Sequence, residues 1–248
     1  MHRAYANDAL DASRPDAESG ARLLAKAHVR RPGGHPMQLY FSPLSCSVAT
    51  RVCLYEAGTE ATYIEVDSKT KRTLDGSNYL DVHPLGLVPA LRTDDGDVLT
   101  ENAAILQYLA GALPRAELAP TDSRGRVRLQ QWLSFIGTEL HKATFSPLLD
   151  ASSTEGVRSY ALEKGTHRLA YLEKHLTGRE FLLERFSVAD AYLVTVLGWS
   201  AATPIDLKKW PALSDYFARL QKRPSVAKAF SEERKLYMAQ LEKRKPVP

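Results

Sequence analysis

The order of elements predicts a chain of two domains, a small α/β layer followed by an all-helical unit. Three observations carry that reading. Between residues 37 and 109, short β-rich runs alternate with helical periodicity. Pro114 to Pro120 then interrupts the pattern, and from Ser123 onward apolar residues recur only at helical spacing. At 248 residues the chain has room for two ordinary domains.

The elements follow in order. Met37-Gln38-Leu39-Tyr40-Phe41 reads as a strand that Ser42-Pro43 ends. Val48, Val52 and Tyr55 place a helix over Ser45 to Glu56, with Gly58 as its cap. Thr62 to Asp67 is a second strand, rich in β-formers at Tyr63, Ile64 and Val66. Ser68 to Ser77 reads as a polar loop carrying Lys69, Lys71 and Arg72. Ala90-Leu91-Arg92 and Val98-Leu99 are short strands joined by Asp94-Asp95-Gly96-Asp97, whose Asp and Gly residues tolerate positive φ. Thr100-Glu101-Asn102 opens a helix through Ile105, Leu106, Tyr108 and Leu109.

In the second half, Leu129, Trp132, Leu133, Ile136 and Leu140 stripe one helix. His167, Leu169, Tyr171, Leu172 and Leu176 mark another, ending before Gly178. A third begins at Ser187-Val188-Ala189-Asp190 and runs to Trp199. The last clear one spans Leu213 to Lys222 and stops before Pro224. The domains are therefore 37–114 and 122–240, with 115–121 as linker and 241–248 as a basic tail.

Composition narrows the function classes. The chain is 44% apolar and 25% charged, as globular proteins are. It has no run of about 18 apolar residues, so no membrane span is expected. Its 33 Lys and Arg are interleaved with 29 Asp and Glu, for a net charge of +4, which leaves no basic patch for nucleic acid. Cys46 and Cys53 stand seven apart in one helix, about 10 Å at 1.5 Å per residue, too far to bridge. Unpaired cysteines suit a reducing compartment, and a cytoplasmic location is expected. Residues 1–36 lack the apolar core of a secretory signal, and Asp8, Asp11, Asp16 and Glu18 argue against a transit peptide. They are read as a dispensable extension, expected to be disordered, upstream of a fold that begins at Met37.

Four features bear on chemistry. Cys46 follows a strand and opens a helix, where free N–H groups and the helix dipole favour a thiolate; the other reading is a small apolar filler. Val88-Pro89 reads either as a cis bond exposing a backbone edge for an extended peptide-like ligand, or as an ordinary turn proline. At Thr100-Glu101-Asn102, helix-start N–H groups can hold a carboxylate while Glu101 accepts from an ammonium, the two charges of a γ-glutamyl group; simple capping is the alternative. Ser187-Val188-Ala189-Asp190 reads as a capping box that serves folding.

Taken together, these segments resemble one family. Tyr40 to Ser47, the basic loop Asp67 to Arg72, Gly86-Leu87-Val88-Pro89-Ala90-Leu91 and Leu99-Thr100-Glu101-Asn102-Ala103-Ala104-Ile105 fall in the order of the glutathione transferases. Trp132-Leu133-Ser134-Phe135, Glu139-Leu140-His141-Lys142, Ser146-Pro147-Leu148 and Phe186 to Leu193, followed by Trp199, look like the bacterial beta class. The resemblance spans about residues 37 to 230.

It implies a thioredoxin-like α/β N-terminal domain, an all-α C-terminal domain, a homodimer, glutathione as co-substrate and no metal. The implied activity is conjugation of glutathione to hydrophobic electrophiles in detoxification, with peroxidase or thiol–disulfide exchange through Cys46 as an addition. Dehalogenation, ether cleavage and a non-catalytic stress-binding role are the alternatives. Cys46 matches the cysteine beside the glutathione sulfur. Val88 would pair its backbone with the cysteinyl part, and Pro89 would be cis. Glu101 and Asn102 would hold the γ-glutamyl end, and Lys71 the glycyl carboxylate. His141 would point into the site, with Thr138 one turn earlier, Ser134 nearby and Trp199 lining the electrophile pocket. Lys71 and His141 would add positive potential favouring the thiolate. Ser45, Ser47 and Tyr40 are the other groups able to support it. The family often has Asn where Ser134 stands, Gly or Ser for Asn102, Pro for Thr50, and Lys and Gln where Leu85 and Leu87 flank Gly86.

Overall fold

The computed structural model describes residues 36–243. The N-terminal extension before Pro36 and the last five residues lie outside that range. Strands β1 (Met37–Phe41), β2 (Ala61–Asp67), β3 (Arg72–Thr73), β4 (Ala90–Arg92) and β5 (Val98–Leu99) form one sheet in the order β3-β2-β1-β4-β5. β1 runs parallel to β2, with Leu39 opposite Tyr63, and antiparallel to β4, with Leu39 opposite Leu91. The two-residue strand β3 lies inside the stretch read from sequence as a polar loop. It is too short to carry an alternation signal, and only its pairing to Val66 and Asp67 reveals it.

Period-2 alternation along β1 splits its side chains between two clusters. Met37, Leu39 and Phe41 enter the main core, whereas Tyr40 joins Val66, Tyr79 and Ala90. Helix α1 (Ser47–Glu56) is buried at every position from Ser47 to Leu54. A helix covered on all sides must be enclosed rather than half-solvated, and α1 packs on the sheet, on α2 (Asn102–Ala112) and on two helices of the second domain.

The second domain begins with α3 (Ser123–Phe135), capped by Asp122, whose carboxylate accepts from Gly125 N–H at 2.8 Å. The chain then continues through a π-helical segment, Ile136–Phe145, into α4 (Ser146–Leu149). Wide π turns are uncommon and concentrate at functional positions; this one carries His141. Helix α5 (Glu155–Leu176) packs so closely on it that a Cβ at Gly165 would overlap the Thr144 Cγ2 methyl. Helix α6 (Val188–Gly198) is buried from Val188 to Leu197 and forms the centre of the domain.

The predicted capping box is present at its start. Asp190 accepts from Ser187 N–H (2.9 Å), Leu182 N–H (2.9 Å) and the Tyr216 hydroxyl (2.8 Å), serving as a buried anchor.

Helix α7 (Pro211–Gln221) is followed by a further helix, α8 (Pro224–Lys243). The sequence reading took Pro224 as a stop. Proline also suits the first turn of a helix, where its missing N–H has no intrahelical partner, and here it starts twenty residues of helix that run past position 241. Among the described residues no helix is long and apolar enough to cross a membrane.

Candidate active site

The site begins where β1 hands over to α1. Cys46 is the N-cap of α1 and is 7% exposed. Its Sγ–H donates to the Val88 carbonyl at 3.3 Å, and the Val88–Pro89 peptide is cis. Burial pushes the Cys46 thiol up to about 12; Lys142 pulls it down and Glu101 pushes it further up, so desolvation outweighs the helix start. Beside it, the Ser45 and Ser47 hydroxyls bond each other at 2.7 Å. The Tyr40 hydroxyl reaches Gln38 Oε1 at 3.4 Å.

Two loops frame Val88. The Tyr79 hydroxyl donates to Leu87 C=O at 2.6 Å. Lys71, held at φ +56°, donates its Nζ to Gly86 C=O at 3.0 Å. Gly86 is itself at φ +60°, and a Cβ there would stand 2.9 Å from Lys71 Cδ, so only glycine fits over the lysine stem. At the start of α2, Glu101 is the N-cap at φ +64°, a strained position for a residue with a Cβ, and its side chain is exposed. The next residue, Asn102, is buried; its Oδ1 accepts from Thr50 Oγ1 at 3.1 Å.

From the helical domain, His141 places Nδ1 at 2.7 Å from the Tyr192 hydroxyl and its ring 4.9 Å from Trp199. Burial, with Lys142 adding to it, lowers His141 to about 4. The Trp199 indole N–H donates to Leu44 C=O at 2.9 Å, while Leu44 N–H donates to Glu233 Oε2 at 2.8 Å. The peptide two residues before Cys46 is thus gripped from both sides by the second domain. Glu233 is fully buried, with Arg51 Nε at 2.8 Å from its Oε1, and burial raises its carboxyl to about 7. The Arg51 guanidinium lies over the Phe41 and Tyr63 rings, at 4.4 and 3.9 Å from their centroids.

Two family models match the chain: glutathione S-transferase N-terminal domain over residues 45–112, and glutathione S-transferase C-terminal domain over residues 137–224. Glutathione S-transferase GstA of Escherichia coli O157:H7 is 39% identical over 199 residues, covering 79% of this chain and 98% of the relative. The chain belongs to the glutathione S-transferase family. Glutathione S-transferase GST-4.5 of Xanthomonas campestris pv. campestris is 33% identical, again across 79% of this chain and 98% of the relative. Among solved structures, the bacterial transferase BphK in a ternary complex aligns with a TM-score of 0.77 at 42% identity, and the beta-class enzyme of Sphingomonas chungbukensis with 0.76 at 41%. Each alignment covers 79% of this chain and 98% of the other.

Within this transferase fold, the predicted site residues fall into two groups. Cys46, Val88, Pro89 and Lys71 gather on the α/β side. From the helical side Trp199, against the His141 ring, reaches the Leu44 loop just before Cys46, and Asn102 is tied to Thr50 of α1. Ser134 and Thr138 are exposed, and Thr138 Oγ1 donates back to Ser134 C=O at 3.0 Å; no side-chain hydrogen bond joins them to the other site residues among the described residues.

Two expectations need correction. The helix start does not lower the Cys46 thiol, because burial dominates. His141 supplies no positive potential at neutral pH, because burial keeps it neutral; Lys142 is the cation acting on Cys46 from that segment. Trp199, for its part, ties its indole N–H to the Leu44 loop.

Sequence reasoning missed Tyr192, Arg51 and Glu233. Tyr192 is the one aromatic side chain of helix α6, and Arg51 interrupts an apolar helix face; either irregularity was a usable signal. Glu233 lay in the helix that Pro224 concealed.

Proposed function

We propose that this protein is an enzyme that conjugates glutathione to small hydrophobic electrophiles. One placement supports the reading: Cys46, the Val88 backbone and the Glu101–Asn102 helix start gather at the N-terminal end of α1, with Lys142 acting on Cys46 through space. The helix-start N–H groups of α2 and the Glu101 carboxylate suit the γ-glutamyl carboxylate and ammonium. Val88 offers its backbone to the cysteinyl peptide, and Lys71 its ammonium to the glycyl carboxylate. In the reaction the glutathione sulfur forms a bond to the electrophilic carbon, the leaving group departs with its electron pair, and the thiol proton passes to solvent.

A buried, protonated Cys46, its Sγ–H engaged by the Val88 carbonyl, is a neutral thiol beside that sulfur rather than a competing thiolate. This favours conjugation as the main activity and leaves thiol–disulfide exchange secondary. The same reading makes the protein a homodimer. It also makes it cytoplasmic, in keeping with two unpaired cysteines, both free here.

The test is calorimetric glutathione binding with aryl-halide conjugation, for wild type and Cys46→Ala. Wild type is expected to bind and turn over, and Cys46→Ala to retain conjugation while losing thiol–disulfide exchange. Wild type that neither binds nor conjugates overturns the reading in favour of a binding protein on this fold.

A further inference from the structure

We propose that Tyr79 is a positioning residue for the thiol peptide: its buried hydroxyl fixes the plane of the Leu87–Val88 peptide and so aims Val88 N–H at the ligand's backbone. The ligand half of this rests on the transferase reading above.

Three successive carbonyls of the loop before Pro89 are held by three side chains from separate elements. Lys71 Nζ donates to Gly86 C=O at 3.0 Å, the Tyr79 hydroxyl to Leu87 C=O at 2.6 Å, and Cys46 Sγ–H to Val88 C=O at 3.3 Å. The Tyr79 bond has one possible direction, because a carbonyl oxygen can only accept. Burial pushes the Tyr79 phenol up, so it keeps its proton.

Tyr79 is itself immobilised. It is 0% exposed and packs with Tyr40, Val66 and Ala90, its ring 5.5 Å from that of Tyr40. Its N–H donates to Lys71 C=O at 2.9 Å, and its C=O accepts from Val82 and His83 N–H at 2.9 and 3.0 Å. The phenol is a rigid post beneath a loop whose own apolar side chains, Leu85 and Leu87, are 70% and 45% exposed and give it little packing.

The Leu87–Val88 peptide is trans, so its N–H points opposite to its C=O. With that carbonyl tied to Tyr79, Val88 N–H faces away from the Tyr79 cluster. A residue before proline is held extended, and in extended backbone one residue's N–H and C=O lie on the same side, ready to exchange both bonds with a neighbouring strand. Val88 C=O faces Cys46, so Val88 N–H faces that side too, and it has no hydrogen-bond partner among the described residues. A free N–H beside a carbonyl with a second lone pair suits one extended peptide unit of a ligand. Rotation of the Leu87–Val88 plane, which Tyr79 prevents, would turn the donor out of line.

Leu87–Val88 is one of two Leu–Val peptides in the chain, the other being Leu193–Val194. Carbon-13 labelling of leucine carbonyls with nitrogen-15 labelling of valine therefore isolates it by NMR, with its signal identified by loss in Leu87→Ile. In ligand-free full-length protein, Tyr79→Phe keeps the ring and deletes the donor, and should move the Leu87 carbonyl signal upfield. Added glutathione should move the Val88 N–H signal of wild type, and that of Tyr79→Phe by less. With an aryl halide, Tyr79→Phe should raise KM and the calorimetric Kd for glutathione about five- to tenfold, the worth of one oriented hydrogen bond, with kcat little changed.

Val66→Ala loosens the same cluster and spares the phenol; it should lower Tm and leave KM for glutathione little changed. A Leu87 carbonyl signal unmoved by Tyr79→Phe overturns the proposal, as does a rise in KM for Val66→Ala that matches the rise for Tyr79→Phe. A Val88 N–H signal that stays put while wild type binds glutathione overturns its ligand half. Failure of wild type to bind glutathione overturns the transferase reading instead, and the ligand-free carbonyl signal decides the Tyr79 bond separately.

Discussion

Replacing Gly165 with alanine probes how tightly the segment bearing His141 is held. The new methyl would overlap Thr144 Cγ2, with Thr144 Oγ1 and Cβ at 3.3 and 3.4 Å behind it. In a helix interior, alanine gains about 0.5–1 kcal/mol over glycine, while overpacking a close-packed contact costs about 1–3 kcal/mol. The net expectation is a loss of about 1 kcal/mol. For a domain of this size that is a fall of about 2–4 °C in Tm.

Thr144→Ser supplies the control, because it deletes the colliding methyl and keeps the hydroxyl that donates to Glu139 C=O at 2.7 Å. Alone it should cost about 1 kcal/mol for the lost methyl and the small void left behind. In the double variant the alanine methyl occupies the vacated space, and the loss should shrink to about 0.5 kcal/mol. That is a coupling of about 1.5 kcal/mol between neighbours in contact. Urea unfolding measures it, as a shift in midpoint at unchanged slope. If Gly165→Ala is as stable as wild type, or if the double variant loses the full sum, the packing argument is wrong.

Glu101→Gly should relieve the backbone at φ +64° and raise stability by about 1 kcal/mol, while weakening glutathione binding about tenfold or more through the lost carboxylate; melting and calorimetry on one preparation read both. Folded His141 lies near 4, below its unfolded value of about 6.5. Its contribution is therefore complete above pH 6.5 and lost as pH falls toward 4, and His141→Asn should flatten that part of a denaturation-against-pH curve. Glu233 behaves in the opposite sense. Raised to about 7 from 4.5, it makes the folded state bind the extra proton between those values, so stability falls as pH rises through that window. Glu233→Gln, which keeps an acceptor for Leu44 N–H, should remove the slope.

Much of the fold was legible because its signals are local. β1, α1, β2 and the Asp94–Asp97 hairpin turn announce themselves through alternation, helical spacing and residues that tolerate positive φ. The capping box at Ser187 and Asp190 is a four-residue pattern and needed nothing else. What escaped depended on distant partners. A strand of two residues has no pattern of its own, and Pro224 carries the same local signal whether it ends one helix or begins the next.

Placing thiol, proline and acidic residue in order along the chain located the candidate site, but not its electrostatics. The states of Cys46 and His141 follow from how much protein covers them, and cover is a sum over both domains. The Arg51–Glu233 pair joins residues 182 positions apart in the chain, beyond the range of any periodicity.

The double grip on Leu44 has a bearing on how such proteins can be recombined. The loop that delivers Cys46 is built by the first domain but set in place by the Trp199 indole and the Glu233 carboxylate, both from the second. A chimera that exchanges helical domains therefore also exchanges the supports of the thiol loop. Only grafts that bring an indole donor and a carboxylate acceptor to the same two points preserve it. The domain boundary is thus a poor place to cut, and substitutions within the native helical domain that spare Trp199 and Glu233 leave the loop's supports intact.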